Sequence, residues 1–127
     1  MKRVHTEHAP AAIGPYSQAI CHDGLVYASG QISLPPGGSG LIGTTAATQA
    51  EGALRNLAAV LAAAGSDLQH TLKVNVFLED MADFPAVNAV YAAAFGDHRP
   101  ARATVAVRTL PKNAKVEIDC VAVVINA

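Results

Sequence analysis

The last strand of the chain sets the strongest limit on its fold. In the stretch from Val116 to Ile125, residues Ile118, Cys120, Ala122 and Val124 point one way. Glu117, Asp119, Val121, Val123 and Ile125 point the other, so from Val121 onward both faces are apolar. A strand apolar on both faces expects cover on both. The rest of the pattern supplies two helices, and two helices cover one face of a sheet. Another subunit is the expected cover for the second face, because a large exposed apolar face invites uncontrolled association.

The two helices are read as follows. Thr44 and Thr45 are N-cap candidates for a helix running to about Ala64, with Leu54, Leu57, Leu61 and Ala64 at helical spacing and Gly65 as a stop. Gly52 inside it costs about 1 kcal/mol relative to alanine and marks either close packing or a late start. Asp80 caps the second helix, with Asp83 and Pro85 in its first turn, Val87, Val90, Tyr91 and Ala94 as its apolar stripe, and Gly96 at its end. Leu25–Ser29 reads as a strand ended by Gly30, after a weaker strand from about Ser17 to Cys21 and a turn at His22-Asp23-Gly24. Leu72, Val74, Val76 and Leu78 alternate with Lys73, Asn75 and Phe77 in a further strand. Strands at about 103–108 and 116–125 close the chain, and residues 35–40 are loop. The order β-β-(β)-α-β-α-β-β gives an α+β fold in one domain over residues 1–127, with a mixed β-sheet and both helices packed on one face.

Bulk properties narrow the function. The 127 residues are 51% hydrophobic, and nine basic residues face ten acidic ones for a formal net charge of −1. With no basic run or stripe, neither nucleic acid nor an anionic membrane surface is an expected partner. No segment approaches the ~20 apolar residues of a membrane-spanning helix. The start of the chain has no apolar run of the secretory kind. Cys21 and Cys120 lie far apart with no CxxC, which reads as two reduced thiols in a cytoplasmic protein. The five histidines show no HxH or HExxH spacing, so no metal is expected. Cys120 falls on the core face and is a poor nucleophile candidate.

The chemistry concentrates near the end. Arg102 stands fifteen residues ahead of Glu117, each on a strand, with the loop Leu110–Ala114 between them. A guanidinium fork fits a carboxylate bidentately, and a glutamate can orient or deprotonate a water. Converging, the two would make a site for a small organic acid that reacts with water. Alternation puts Arg102, Thr104 and Ala106 on one face and Ala103, Val105 and Val107 on the other. The second set reads as core under the helices, which turns Arg102 away from them and toward a subunit interface. A surface arginine paired with an acid, and a solvated glutamate, are the bland alternatives. At Ser29-Gly30-Gln31, glycine would let a ligand approach the backbone, although strand-ending glycines are common. Tyr16, in Gly14-Pro15-Tyr16-Ser17, is either a ligand-facing phenol or a core ring.

These residues also resemble a family. The segments Ala9–Ala19, Val26–Ile32, Val76–Phe84 and Val87–Tyr91, together with Pro100-Ala101-Arg102, Leu110-Pro111 and Val116-Glu117-Ile118, are similar in order and spacing to the RidA (YjgF-type) reactive-intermediate deaminases. The resemblance runs from about residue 4 to residue 125. It implies a chorismate-mutase-like fold whose sheets form a central barrel in a homotrimer, with sites between subunits. It implies hydrolysis of 2-enamino and 2-imino acids such as 2-aminoacrylate to 2-keto acids and ammonia, with no cofactor or metal. By position, Arg102 would grip the substrate carboxylate, Glu117 would hold the attacking water, and the Gly30 amide would donate to the carboxylate. Tyr16, Ser29 and Asn88 would line the pocket, and the Thr104 backbone would contact the ligand. The chain departs from the family pattern in the Pro/Gly-rich loop 35–40 and at Glu51 and Gly52. The rival functions are a non-catalytic 2-keto-acid-binding trimer, a ribonuclease and a holdase-like chaperone.

Overall fold

The sequence alternations resolve into one six-stranded sheet carrying both helices on a single face. The computed structural model describes residues 1–126. Strands β1 (Lys2–Val4), β2 (Ala19–His22) and β3 (Leu25–Gln31) precede helix α1 (Ala46–Ala63). Then follow β4 (Thr71–Leu78), helix α2 (Phe84–Phe95), β5 (Ala101–Ala106) and β6 (Val116–Val123). The strand order is β1-β2-β3-β6-β4-β5, with every pairing antiparallel except the parallel pair β4/β5 that flanks α2. The expected α+β architecture with a mixed sheet is therefore the observed one. The strand at Lys2–Val4 is an addition, too short for the sequence pattern to reveal.

Local chemistry accounts for the element ends. The β2–β3 hairpin turns on Asp23 and Gly24 with φ of 51° and 79°, the left-handed pair that a two-residue primed turn needs. Thr45 caps α1, its hydroxyl accepting from the Thr48 amide at 3.1 Å. The Asp80 carboxylate caps a short 3-10 turn, Met81–Asp83, that leads into α2.

The inward face of β6 is as expected: Val116, Ile118, Cys120 and Ala122 are buried among Leu57, Val60 and Leu61 of α1. Two irregularities depart from simple alternation. In β4, Thr71 pairs Ala122 and Lys73 pairs Val121, so Leu72 bulges out and is 48% exposed, with Thr71 taking its inward place. In β3, Ala28 pairs Cys120 and Gln31 pairs Ile118, so Ser29 and Gly30 together oppose one residue, Asp119. The strand does not end at Gly30 but bulges there and runs on to Gln31. The bulge keeps both Ala28 and Gln31 buried and leaves Ser29 and Gly30 on the uncovered side.

The uncovered face is unfinished. It carries Tyr27, Phe77, Val105, Val121 and Val123, and the edge strand β5 is exposed along most of its length. An open edge has unpaired backbone groups, and here it stands beside an apolar face with no cover among the described residues.

Gly52 marks close packing. A Cβ there would overlap Ser33 Oγ and come within 2.7 Å of Ser33 Cβ. Ser33 is itself buried, and its hydroxyl donates to the Ile42 carbonyl at 2.8 Å. Gly52→Ala is expected to lower stability by about 1–3 kcal/mol despite alanine's better helix propensity, because the overlap reaches a fixed side chain. Chemical denaturation checks this; an unchanged or raised midpoint would contradict the packing.

Candidate active site

The sheet sorts the candidate residues by face. Arg102 pairs Val74, which is fully buried on the helix side, and Thr104 pairs Val76 in the same way. Arg102 therefore faces α2, opposite to the direction expected from the sequence. The guanidinium carbon lies 4.7 Å from the Tyr91 ring centre and 5.4 Å from that of Phe84, and Nη1 donates to Asn88 Oδ1 at 2.7 Å. Phe84, Asn88 and Tyr91 follow one another at i, i+4 and i+7, a single stripe of α2 that cradles the cation. The expected core set behaves conversely: Ala103 and Val105 are exposed on the uncovered face, with Val105 at 46%. The reason is that β5 is an edge strand with no helix lying squarely on it. The long guanidinium can reach α2 where an alanine or valine could not.

Arg102 is free to bind. Among the described residues the ion pairs are His22–Asp23 and His70–Asp67, so no carboxylate of the chain occupies this guanidinium. One of its five N–H donors is engaged by Asn88, and the fork remains available. A cavity of about 310 Å³ opens beside it, walled by Asn88, Tyr91, His98, Arg99 and Pro100.

Glu117 lies on the opposite face. It pairs Phe77, between the inward-facing Val116 and Ile118. Its carboxylate sits over the β3 bulge, where a Cβ on Gly30 would fall 2.5 Å from Oε2. Only glycine permits that approach, and a bulge leaves backbone groups outside the ladder. Glu117, Gly30, Ser29 and Tyr16 line a second cavity of about 690 Å³. Tyr16 is a wall of this cavity, 55% exposed, and not a core ring. The Ser29 hydroxyl donates to the Ser17 carbonyl at 2.6 Å, tying the wall to the segment that carries Tyr16.

Half-burial pushes the Glu117 carboxyl above 4.5, its ordinary value, and the neighbouring Asp119 charge pushes it the same way. Asp119 is held by Asn75, whose Nδ2 donates to Oδ1 at 2.9 Å. Burial, with a smaller contribution from Asp119, pushes the Cys120 thiol up to about 12, so it stays protonated and is no nucleophile. Thr104 lines neither cavity; its Oγ1 and the Tyr91 hydroxyl are buried without a partner among the described residues.

Within one chain, then, the structure brings together Tyr16, Ser29, Gly30 and Glu117 on one side and Asn88 and Arg102 on the other. It does not bring the two groups to one cavity. β4 lies between β5 and β6, and the two charged residues point to opposite faces.

Sequence reading missed the supports. Gln18 is buried, its Oε1 accepting from the Thr6 amide at 2.7 Å and its Nε2 donating to the Pro10 carbonyl at 2.8 Å, which fixes the segment ahead of Tyr16. Asn56 Nδ2 donates to the Ile32 and Leu34 carbonyls at 3.0 and 2.8 Å, holding the far rim from α1. An amide among the apolar positions of a helix is unusual, which was the available signal for Asn56; Gln18, in the segment ahead of β2, left none. Tyr91 was legible only as part of the apolar stripe, and Phe84 only as the end of the family-like segment Val76–Phe84.

Six strands in this order with two helices on one face define the chorismate-mutase-like class of α+β proteins. The family model described as Endoribonuclease L-PSP matches residues 6–124, and the chain belongs to that family, which includes the RidA (YjgF-type) imine deaminases. It is 47% identical to protein DfrA of Myxococcus xanthus over 96% of this chain and 95% of that one. It is 44% identical to the mouse 2-iminobutanoate/2-iminopropanoate deaminase over 96% of this chain and 90% of that one. The crystal structure of E. coli TdcF with bound serine superposes with a TM-score of 0.90 at 38% identity, covering 97% of this chain and 98% of that one.

The Glu117 environment has a stability consequence. Burial, and after it the Asp119 charge, disfavours the charged form of this carboxyl in the folded chain. Glu117→Gln is expected to melt higher than wild type at pH 7, with the gap closing as pH falls through the raised pKa and wild type becomes neutral too. Equal melting temperatures at pH 7 would show that the carboxylate is not strained by its surroundings.

Proposed function

We propose that the chain is a hydrolytic deaminase of 2-enamino and 2-imino acids such as 2-aminoacrylate, working as a homotrimer whose sites form between copies. The placement of Arg102 and Glu117 on opposite faces carries this reading. Each half-site is well made and neither is complete. Closing the uncovered faces of three copies into a barrel would bury the apolar set on β3 to β6 and set one copy's Arg102 against the next copy's Glu117 cavity. Relatives with the deaminase name, and the amino acid bound in TdcF, support a small acid as ligand.

The Arg102 fork and the Gly30 amide of the adjoining copy hold the substrate carboxylate and so fix the reacting carbon. An enamine first takes a proton from solvent at its β-carbon and becomes the iminium, the protonated imine. Water held by Glu117 adds to the imine carbon, giving its proton to the carboxylate. The protonated Glu117 passes that proton to the nitrogen of the carbinolamine, the C–N bond breaks, ammonia leaves, and the hydroxyl proton is lost to the Glu117 carboxylate and on to water as the C=O of the 2-keto acid forms. Holding both reactants in place removes much of the entropic barrier, and the raised pKa of Glu117 makes it a stronger base than an ordinary carboxylate. Tyr16 and Ser29 shape the wall, Asn88 aims the guanidinium, and the backbone at Thr104 continues the Arg102 side. The residues use no cofactor or metal for this sequence. Free thiols at Cys21 and Cys120 suit a reducing, cytoplasmic setting. The ribonuclease name of the family fits the geometry less well. His98 is the one histidine lining either cavity, and its Nε2 donates to the Thr71 carbonyl at 2.6 Å.

Mixed with a serine or threonine dehydratase, wild type is expected to speed keto-acid appearance, and Arg102→Ala to lose about 100-fold or more in kcat/KM. The acid limb of the wild-type profile is expected above 4.5, because the base must be ionised and its pKa is raised; Glu117→Gln is expected to abolish that limb. No acceleration by wild type, or full activity in Arg102→Ala, would overturn the mechanism.

A further inference from the structure

The cavity beside Arg102 is lined by two arginines, more positive charge than a single carboxylate can use. Arg99 lines it as well as Arg102, while no carboxylate does. Asp97, adjacent in sequence, is exposed and lies outside the lining. No acid of the described residues pairs with Arg99 or with Arg102. This concentration is unusual in a chain whose formal net charge is −1.

The backbone explains how two arginines three residues apart come to line one cavity. Residues three apart on a regular strand face opposite sides, but β5 begins only at Ala101, and Pro100 stands between the strand and Arg99. Three residues span at most roughly 10 Å, within reach of two long side chains converging on one small molecule. Arg102 is braced by Asn88, Tyr91 and Phe84, whereas Arg99 is exposed and extends the cavity outward.

We propose that this cavity selects substrates with two carboxylates: Arg102 takes the one next to the reacting carbon and Arg99 the distal one. The inference rests on the deaminase reading above and sharpens its substrate class, favouring the imines of 2-keto dicarboxylic acids over those of short monocarboxylic ones. A monoanion leaves one guanidinium uncompensated, whereas a dianion engages both forks bidentately.

Titration calorimetry with two stable keto acids, 2-ketoglutarate and 2-ketobutyrate, tests it at fixed ionic strength. Wild type is expected to bind 2-ketoglutarate about tenfold or more tightly than 2-ketobutyrate. Arg99→Gln is expected to bring that ratio close to one. Arg108→Gln removes the same charge at an exposed position outside the cavity and is expected to keep the wild-type ratio. A wild-type ratio of one or below, or a ratio that survives in Arg99→Gln, overturns the inference while leaving the deaminase reading intact. If wild type binds neither acid, the reading of Arg102 as a carboxylate grip fails, and this inference fails with it.

Discussion

The pleat of a single sheet keeps apart the two charged groups to which the proposed chemistry is assigned. β4 is inserted between β5 and β6, and Arg102 and Glu117 take opposite faces of that sheet. No side-chain rotation brings them together through the backbone of the sheet. Each therefore gathers its own surroundings. Arg102 gathers an aromatic and amide cradle from α2, and Glu117 gathers a bulged strand whose glycine leaves room for a carboxylate. Two finished halves on opposite faces make sense when copies of the chain pack face to edge. The assembly proposed for the chain would also cover the exposed valines and the open edge of β5.

The cost of this arrangement falls on the same residues. Glu117 is held where its charge is disfavoured, and Asp119 aggravates it. Gly30 gives up the helpful stiffness of a side chain at a bulge so that the carboxylate can lie on the backbone. The unsatisfied hydroxyls of Tyr91 and Thr104 sit beneath the Arg102 side. Buried polar groups without partners are rare in folded proteins, and they collect where structure serves something other than stability. The rigid frame around them comes from α1, where Gln49 Oε1 accepts from the Lys115 amide at 2.8 Å and Asn56 holds the loop after β3.

Much of the fold was legible because it follows from period. The two helices, the Thr45 cap of α1 and the two-faced closing strand were visible as spacing of apolar residues and as threonine and glycine at the ends, whereas Asp80, expected to cap the second helix, caps the 3-10 turn ahead of it. The candidate residues were legible as types: an arginine and a glutamate on strands, and a glycine beside a serine. Direction was not legible for Arg102. On an edge strand of small residues, alternation alone says which residues share a face but not which face the helices cover. Nor can period show strand order, so nothing in the sequence revealed that β4 separates β5 from β6. The bulges at Leu72 and at Ser29-Gly30 escaped for a related reason, since a bulge is defined by the partner strand and leaves only a faint mark on its own.

The most direct measurement is activity after mixing two crippled variants. Arg102→Ala retains an intact Glu117 cavity, and Glu117→Gln retains an intact Arg102 cavity. With both chains unfolded together and refolded at equal amounts, a site shared between adjacent copies is rebuilt in about a quarter of the interfaces of a ring assembled at random. Activity at about that fraction of wild type, from two variants each inactive alone, is the expected result. A mixture no more active than its parts would show that the guanidinium and the carboxylate do not meet across copies of the chain.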